Sequence, residues 1–341
     1  MTAVGAVRLE REHTHCPACA EVGFVADARL GVNGYLTTRA QRMTCLAGLN
    51  DPFRKAEVLL HELAGWSVDA ETVRRRAHAA AGRAARTRDR RRGVPAAFAA
   101  ATGDHEVHID AGKVNTPDGW RDVKVAVFAA RARGPGAAPG EYEQRDLPVP
   151  GARGVVAAVE EVGAFGPRCR AEADRLGVTD TARVSVLGDG AEWVWNLAGA
   201  RFAGAAQVLD FYHAAEYLAK AGRASDEVGL ASWLGRAKGQ LVGDGYAGAC
   251  EALGALPGGA AEVGEALNYL AGHRDRLQYA VRLRRGQAIG SGLVEGTIKQ
   301  RVNLRLKRTG ARWLPGGVGP FVEMLAMSET PEWNEYWALA A

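Results

Sequence analysis

The sequence predicts an α/β protein whose central element is a mixed β-sheet, and three observations support this prediction. Residues 184–187 and 206–209 are short apolar runs, rich in β-branched side chains, with a helical stretch between them. Residues 107–110 alternate between apolar and polar side chains, and residues 123–128 are mostly apolar, as expected for the two strands of a hairpin. Residues 213–285 are helical in character, with no strand-like run. This order favours a sheet that contains both antiparallel and parallel strands.

The length and composition are those of a soluble globular protein. The chain has 341 residues, of which 47% are hydrophobic and 24% charged, so it can bury a sizeable core. No apolar run approaches the ~20 residues that a membrane span needs. Charged residues from Arg8 to Glu12 interrupt any N-terminal signal segment. We therefore expect a cytoplasmic protein without a membrane partner.

Residues 1–50 are predicted to be irregular, and their metal-ligand motif is Cys16-Pro17-Ala18-Cys19. A zinc ribbon needs four soft ligands, whereas only Cys45 follows as a further cysteine in this segment. The leading interpretation is a shortened or decayed ribbon without zinc. The alternative is a zinc site formed by these three cysteines and completed by His13 or His15. Five cysteines in a chain of this kind argue against disulfides.

Residues 51–95 are predicted to contain two helices with a tight bend. Apolar residues recur at helical spacing up to Leu63, and Gly65 ends the first helix. Ser67 is predicted to start the second helix, with Glu71 as capping support. The outward face of this helix carries Arg74, Arg75 and Arg76. The pair fits a helix-turn-helix that binds the DNA major groove, and an ordinary αα-hairpin is the alternative.

Two stretches hold most of the basic residues, although the net charge is only +4. The first runs from Arg74 to Arg92, and the second from Lys299 to Arg312. Such clustering indicates a polyanionic partner, and a solvated helical face is the alternative. The predicted DNA-binding residues are Arg74, Arg75, Arg76, Lys299, Arg305 and Arg308.

The first half of the sheet is predicted to begin after a domain boundary near residues 95–104. Its first strand ends at Asp110, and Pro117-Asp118-Gly119 forms the turn to the second strand. A third strand is expected at 142–149. A helix is expected at 154–176, broken in two near Gly166-Pro167.

Acidic side chains end the next two strands of the predicted sheet. Asp189 follows the strand at 184–187 within Gly188-Asp189-Gly190, and Asp210 follows the strand at 206–209. The carboxyl ends of strands in open α/β sheets form the edge where ligands bind. The alternative is that Asp189 serves a turn and Asp210 caps the following helix.

A last acidic residue follows the helical block at 214–288. Gly290-Ser291-Gly292 can open a helix, and Glu295 lies in its first turns. The apolar residues Leu293, Ile298, Val302 and Leu306 predict its inward face, and basic residues occupy much of the remainder.

The order of these elements is the layout of a ribonuclease-H-like sheet, with a helical insertion before the last acidic helix. In that topology the first and fourth strands are neighbours, which would place Asp110 and Asp189 side by side. Two carboxylates this close repel each other unless a cation lies between them. Oxygen ligands alone favour Mg²⁺ or Mn²⁺. A third carboxylate would complete a two-metal site suited to phosphodiester cleavage.

The segments HIDAGKVNTPDGWRDVKV, LGDGAEWVW, LDFYHAAEYL, GSGLVEGTIKQRVNLRLKRTGARW and SETPEWNEYW together resemble bacterial insertion-sequence transposases of the DDE type, ISKra group. The resemblance covers residues 55–337 and implies DNA cleavage and strand transfer on double-stranded DNA by a homo-oligomer. It makes Asp110, Asp189 and Glu295 the metal-binding catalytic acids. It makes Asp210 and His213 the Asp-x-x-His signature, with His213 as a further catalytic residue. The expected location is the bacterial cytoplasm, on the nucleoid.

The resemblance also implies a domain order: 1–50 as a degenerate zinc ribbon, 51–95 as the DNA-binding helices, 104–213 as the core, 214–288 as the insertion and 289–341 as the catalytic helix and tail. The family's second cysteine pair is reduced here to Cys45, and its first acid stands in Asp-Ala-Gly where Asp-Gly is usual. A decayed copy that binds DNA through residues 52–92 without cutting it is therefore an alternative function. A carboxylate-pair glycosidase is a third reading, and it would need an aromatic-rich sugar cleft.

Overall fold

The computed structural model describes residues 1–20, 22–87, 93–225, 229–257 and 260–339. The N-terminal segment forms two small antiparallel hairpins around a short helix. Its elements are β1 (Thr14–His15), β2 (Val22–Gly23), α1 (Val25–Leu30), β3 (Val32–Asn33) and β4 (Leu36–Thr37). The first hairpin turns at the Cys16-x-x-Cys19 motif.

The helix α2 (Thr38–Asn50) follows, so the prediction of irregular structure up to residue 50 is wrong for this stretch. The Thr37 hydroxyl caps the helix by accepting a hydrogen bond from the Ala40 N–H at 3.4 Å. Small and polar side chains dominate the segment, so its apolar stripe is too weak to be recognised in the sequence.

The two helices predicted at 51–95 are present as α3 (Phe53–Ala64) and α4 (Ala70–Thr87). Gly65 ends α3 with φ of 64°, as a left-handed C-cap requires. The cap of α4 is Asp69 and not Ser67, because Asp69 Oδ1 accepts the Thr72 N–H at 2.8 Å. An alanine-rich face of α4 is buried, and α4 packs against α2 and a C-terminal helix. The arginines of the first basic stretch that fall within residues 88–92 lie outside the described residues.

A five-stranded mixed sheet forms the centre of the following part. After α5 (Ala96–Ala100), its strands are β5 (Asp104–Thr116), β6 (Gly119–Arg131), β7 (Ala152–Ala158), β8 (Val184–Gly188) and β9 (Ala206–Leu209). The strand order is β7-β6-β5-β8-β9. The β5–β6 and β6–β7 pairs are antiparallel, whereas β5–β8 and β8–β9 are parallel. The prediction of a mixed sheet in an α/β protein is therefore confirmed.

Three details of the prediction for this region are wrong, two in the sheet and one in the helix that follows it. Asp110 lies in the middle of β5, because the hairpin with β6 stays paired up to the turn at Pro117-Asp118. The third strand is β7 and not 142–149, a stretch that is charged and ends next to prolines, whereas β7 contains Val155 and Val156. The following helix, α6 (Val162–Arg175), includes Pro167 without breaking in two.

Helices account for most of the remaining described chain. They are α7 (Glu192–Arg201), α8 (Phe211–Ala224), α9 (Leu230–Asp244), α10 (Tyr246–Gly254), α11 (Ala261–Gly272), α12 (Tyr279–Arg284), α13 (Gly292–Thr297), α14 (Leu304–Leu306), α15 (Pro315–Met327) and α16 (Glu332–Leu339). A π-helical stretch, Ile298–Asn303, connects α13 and α14. None of the helices within the described ranges is both long and apolar enough to cross a bilayer.

The two faces of the sheet bury different helices. Val107 and Ile109 of β5 belong to one core cluster, together with residues of α6, α7 and the helices from α8 to α12. The opposite face contributes Val114 and Val125 to a second cluster, which contains residues of α13, the π-helical stretch and α15. Asp110 alternates with Ile109, so it lies on the second face, beneath the segment that carries Glu295.

Candidate active site

The parallel pairing of β5 and β8 brings Asp110 and Asp189 to neighbouring positions. Ile109 is the register partner of Gly188, and each aspartate is the next residue in the chain. Adjacent strands lie about 4.8 Å apart. Asp110 Oδ1 accepts the Ala111 N–H at 2.6 Å, and Asp189 Oδ1 accepts the Ala191 N–H at 3.1 Å. Both carboxylates are thus held by backbone donors at one edge of the parallel part of the sheet.

The glycines on either side of Asp189 are required by close contacts. A Cβ at Gly190 would lie 2.1 Å from the Tyr269 hydroxyl oxygen, and φ there is +95°. A Cβ at Gly188 would lie 2.8 Å from Cγ1 of Val194. The Tyr269 hydroxyl donates a hydrogen bond to the backbone carbonyl of Asp189 at 2.8 Å. Only glycine allows the tyrosine of α11 to approach and fix this loop.

Asp210 is a buried connector between α8 and the segment that carries Glu295. Its side chain is 1% exposed, and its Oδ1 accepts the His213 N–H at 2.7 Å, so it caps α8. Its Oδ2 accepts hydrogen bonds from the backbone N–H of Ser291 and from the Ser291 hydroxyl, the latter at 2.9 Å. The same hydroxyl lies 3.1 Å from Glu295 Oε1. The interpretation of Asp210 as a helix cap is therefore confirmed, and the residue also positions the start of α13.

The segment from α13 to α14 lies directly over β5. A Cβ at Gly112 would be 3.0 Å from Cγ1 of Val302 and 3.1 Å from Cγ2 of Ile298. The close approach favours a glycine on the strand, and Glu295 lies one turn before Ile298 on the same segment. Lys299 Nζ lies 3.2 Å from Glu295 Oε2 in an exposed i,i+4 pair.

Burial and three acidic neighbours act on the ionisation of Asp110. Its pKa is raised to about 7, first by burial and then by the negative charges of Asp189, Glu295 and Asp210. The hydrogen bond from the Ala111 N–H opposes this rise. The three acids predicted from the sequence therefore converge within electrostatic range, and a fourth, Asp210, joins them.

Comparison with known proteins places this chain in no family. A scan against protein-family models finds no match. A search of curated proteins finds no match either. The interpretation of the site therefore depends on its own geometry.

The donor set at this edge fits a hard divalent cation. Asp110, Asp189 and Glu295 offer only carboxylate oxygens, which Mg²⁺ and Mn²⁺ prefer. Burial first, and then the neighbouring negative charges, raise the pKa of Asp110, so its ionised form is unfavourable unless a cation is bound. Within the described residues, no three His, Cys, Asp or Glu side chains already surround a common point as ligands.

His213 lies beside an aromatic cluster contributed by α8 and α11. Its Nδ1 is 3.7 Å from Glu216 Oε2, and its ring packs edge-on against Tyr217 and Tyr269. The two tyrosine rings stack with centroids 3.8 Å apart. Sequence reasoning missed Tyr269, because a tyrosine in a helix carries no signal that it reaches back to the Gly-Asp-Gly loop 80 residues earlier.

The predicted DNA-binding residues differ in their surroundings. Arg74 and Arg75 are exposed on α4, although Arg74 Nε donates to Glu71 Oε2 at 2.7 Å. Arg76 is partly buried and donates to Asn33 Oδ1 at 2.8 Å. Lys299 and Arg308 are exposed.

Arg305 is not available to DNA in this arrangement. Its side chain is 5% exposed, and its guanidinium carbon lies 4.6 Å from the ring centroid of Phe53, 4.9 Å from Trp313 and 5.1 Å from Phe321. Its Nε donates to the Gly48 carbonyl at 2.8 Å. Burial lowers its pKa to about 10. The prediction of a phosphate contact is wrong for this residue, because its cation–π cage joins the C-terminal segment to the N-terminal helices.

Cys45 does not belong with Cys16 and Cys19. It is fully buried on α2, with its Sγ 3.9 Å from Met324 Sδ, and burial raises the pKa of its thiol to about 12. Cys16 and Cys19 lie at the surface of the first hairpin. Contact with the Cys19 N–H and thiol lowers the pKa of Cys16. The zinc set that includes Cys45 is therefore wrong, since that thiol packs in the core as a small apolar group.

Proposed function

We propose that this chain is a metal-dependent DNA transposase with a ribonuclease-H-like catalytic core. The observation that supports this best is that Asp189 and Glu295 both lie within electrostatic range of Asp110. Their residues are far apart in the sequence, and a purely structural role would not favour such repulsion. The strand order β7-β6-β5-β8-β9, with three antiparallel strands followed by two parallel ones, is the layout that the proposal expects.

Asp110, Asp189 and Glu295 would hold Mg²⁺ or Mn²⁺. When bound, such ions activate water or a DNA 3′-hydroxyl and stabilise the leaving oxygen of a phosphodiester. The surrounding residues position these acids. Tyr269 fixes the loop of Asp189, and the contact between Asp210 and Ser291 fixes the first turn before Glu295. Lys299 neutralises part of the Glu295 charge from the solvent side.

Double-stranded DNA would bind through exposed basic side chains. Arg74 and Arg75 on α4, and Lys299 and Arg308 near α14, are placed at the surface for phosphate contacts. Their contribution should decrease steeply with salt, as counterion release requires. We further propose that a homo-oligomer acts on two DNA ends in the bacterial cytoplasm, on the nucleoid.

Cleavage of supercoiled plasmid tests the proposed catalysis without knowledge of the terminal repeats. With Mg²⁺ the wild-type chain should nick plasmid DNA, and with EDTA it should not. Asp189→Asn should reduce nicking by at least about 100-fold, because a metal ligand contributes several kcal/mol to the transition state. The matched control is Asp122→Asn, an exposed acid that pairs with Lys113 on the same hairpin. Equal nicking by Asp189→Asn and the wild type would reject Asp189 as a metal ligand.

A DNA-binding protein without catalysis is the second candidate. Two observations favour it: Lys299 already pairs with Glu295, and no closed set of three ligands is present among the described side chains. This candidate predicts a gel shift of duplex DNA that is weakened in the double variant of Arg74→Gln and Arg75→Gln. It also predicts no metal-dependent product from the same protein. Nicking that requires Mg²⁺ and Asp189 would exclude it.

A further inference from the structure

A cavity of about 220 Å³ lies at the edge of the sheet opposite to the candidate active site. It is lined by the amino-terminal ends of β8 and β9, the 3₁₀ turn Arg274–Arg276 and α12. Ser185 belongs to this lining and precedes Asp189 by four residues, which is about 13 Å along the strand. A water molecule takes up about 30 Å³, so the cavity has room for a small anion together with a few waters.

The lining of this cavity is strongly basic. Among the described residues its charged side chains are four arginines and one acid: Arg183, Arg276, Arg282, Arg285 and Asp275. None of the four arginines forms an ion pair with a carboxylate that the structure describes. A charged group withdrawn from water without a counter-ion costs stability. The cavity therefore has an excess of positive charge, which a bound anion would neutralise.

Arg282 brings a buried charge to the cavity and has a donor to spare. The residue is 6% exposed. Its Nε donates to the Ala288 carbonyl at 2.6 Å, and its Nη1 donates to the Ser185 hydroxyl at 3.0 Å. Its Nη2 makes no hydrogen bond with the described residues, and it is not fully enclosed by protein. Since Arg282 lines this cavity, an anion there can accept a hydrogen bond from Nη2.

The pKa of Arg282 is consistent with a charge that has no close counter-ion. Burial is the largest cause and lowers the pKa to about 10. Glu106 and Asp104 oppose this shift without forming an ion pair with Arg282, and the positive charges of Arg145 and Arg285 add to it. The guanidinium remains charged at pH 7, so a negative charge beside it would be stabilising.

Two further guanidiniums of the lining have free donors. Arg276 Nε donates to Gln207 Oε1 at 2.8 Å, and its guanidinium carbon lies 4.5 Å from the ring centroid of Trp195. These contacts hold the group in place, while its Nη2 has no partner among the described residues. Arg285 is exposed, and its side chain makes no hydrogen bond or ion pair with them. A guanidinium that is already held loses little freedom when it binds an anion.

The arrangement of these donors favours a phosphate group over a carboxylate. A carboxylate is planar and carries one charge, so a single guanidinium can satisfy it. A phosphate group is tetrahedral, carries up to two charges and offers several acceptor oxygens. It can therefore engage donors that approach from different directions. Here they come from the 3₁₀ turn, from α12 and from the residue that follows α12.

We propose that this cavity binds a phosphate group through Arg282, Arg276 and Arg285. The site goes beyond the proposed function, because none of the proposed metal ligands lines the cavity. A free phosphate ion and a phosphate of the DNA backbone present the same oxygens to these arginines. The two sources are therefore separated by experiment.

Titration with inorganic phosphate tests this inference. The full-length chain, in metal-free buffer at pH 7 and constant ionic strength, would be titrated by calorimetry. Phosphate should bind, and Arg285→Gln should weaken the binding by about tenfold, as loss of a hydrogen bond between charged groups predicts. Arg285 is preferred to Arg282 for this variant, because the side chain of Arg282 also bonds β8 and the Ala288 carbonyl.

The matched control is Arg284→Gln. It removes the same charge one residue earlier, at the end of α12, and Arg284 does not line the cavity. This variant should bind phosphate like the wild type, and acetate at the same ionic strength should bind the wild type much more weakly than phosphate does. No binding of phosphate, equal weakening by the two variants, or equal binding of acetate and phosphate would overturn the inference.

Asp189→Asn separates this site from the proposed catalysis. It should bind phosphate like the wild type, since Asp189 lies at the opposite edge of the sheet. Phosphate binding by a chain that does not nick DNA would sustain the inference and reject the catalytic proposal. Nicking by a chain that does not bind phosphate would do the reverse.

A gel shift with duplex DNA identifies the source of the phosphate. If Arg285→Gln weakens duplex binding more than Arg284→Gln does, the phosphate belongs to the DNA backbone. If the two variants bind duplex alike and only Arg284→Gln retains inorganic phosphate, the ligand is a free phosphate. Either result sustains a phosphate site in this cavity.

Discussion

Two carboxylates on the same face of β5, Glu106 and Asp110, have pKa values that are shifted in opposite directions. Both are withdrawn from solvent, and burial acts to raise the pKa of each. Contacts with His108 and Arg131 outweigh burial at Glu106 and leave its pKa below the ordinary value. At Asp110 the neighbours are other acids, and its pKa rises to about 7.

Glu106 belongs to a structural ion network, whereas Asp110 lacks a positive partner among the described residues. Glu106 finds a positive partner, Arg131, within the chain, so its charge is balanced without a ligand. Asp110 finds mostly further negative charge, which costs stability unless a cation from outside is bound. Glu106 and Asp110 are four residues apart on β5, yet only Asp110 belongs to the candidate metal site.

Glu106→Gln should have the largest effect on folding. It leaves Arg131 and His108 buried beside a neutral amide, and breaking a buried pair in this way costs about 3–5 kcal/mol. Chemical denaturation at pH 7 would measure the loss. The control is Asp122→Asn, because the pair that it breaks is exposed and should have no measurable effect. An unchanged unfolding free energy in Glu106→Gln would mean that Glu106 is not needed to balance the charge of Arg131.

Asp110→Asn should have the opposite effect in EDTA. The unfolded acid loses its proton near pH 3.8, whereas the folded acid keeps it up to about pH 7. The wild type therefore loses stability as pH rises between these values, and the amide removes this loss. At pH 8 the variant should be more stable by about 2–4 kcal/mol, and at pH 4 the two should be similar. A parallel pH dependence of the two unfolding free energies would show that Asp110 titrates normally.

The sheet was largely predictable because its strands carry local signals. The β-branched runs of β8 and β9, and the Pro-Asp-Gly turn of the hairpin, determine structure over a few residues. The third strand was misplaced because Gly154 to Ala158 can be read with either a helical or a strand period. Long-range contacts decide such cases. α2 escaped prediction for a related reason, since its burial depends on α4 and the C-terminal helices.

The acidic residues of the candidate site could be predicted from the sequence, but most of the contacts that position them could not. Strand ends and a helix start indicate where Asp189 and Glu295 lie. The link from Asp210 to Ser291 joins residues 81 positions apart, and no local pattern encodes it. Arg305 was misassigned because outward spacing on a helix cannot show that three aromatic rings from other segments enclose it.

Ser291→Ala should affect activity more than stability. It removes the hydroxyl contact with Asp210 but keeps the backbone N–H contact, so the cost to folding should be about 1 kcal/mol. The hydroxyl also lies beside Glu295, and its loss should let that carboxylate move away from Asp110. Plasmid nicking should therefore decrease by about tenfold at fixed Mg²⁺ and recover in part at higher Mg²⁺. Ser328→Ala, whose hydroxyl donates to the Leu325 carbonyl at the end of α15, is the matched control.

Lys299→Gln should have the smallest effect on folding and a specific effect on the metal edge. Lys299 is 71% exposed, and such i,i+4 pairs contribute less than about 0.5 kcal/mol to stability. Its charge nevertheless competes with a cation for Glu295. Two unit charges ~4 Å apart in water interact by ~1 kcal/mol, so removal of one should strengthen Mg²⁺ binding by about fivefold. A Mg²⁺ titration of the melting temperature would measure this, with Lys307→Gln as a control outside the pair. If Lys299→Gln binds Mg²⁺ no more tightly than this control, Glu295 is not a ligand, because a cation 3.2 Å from a ligand oxygen must weaken the site.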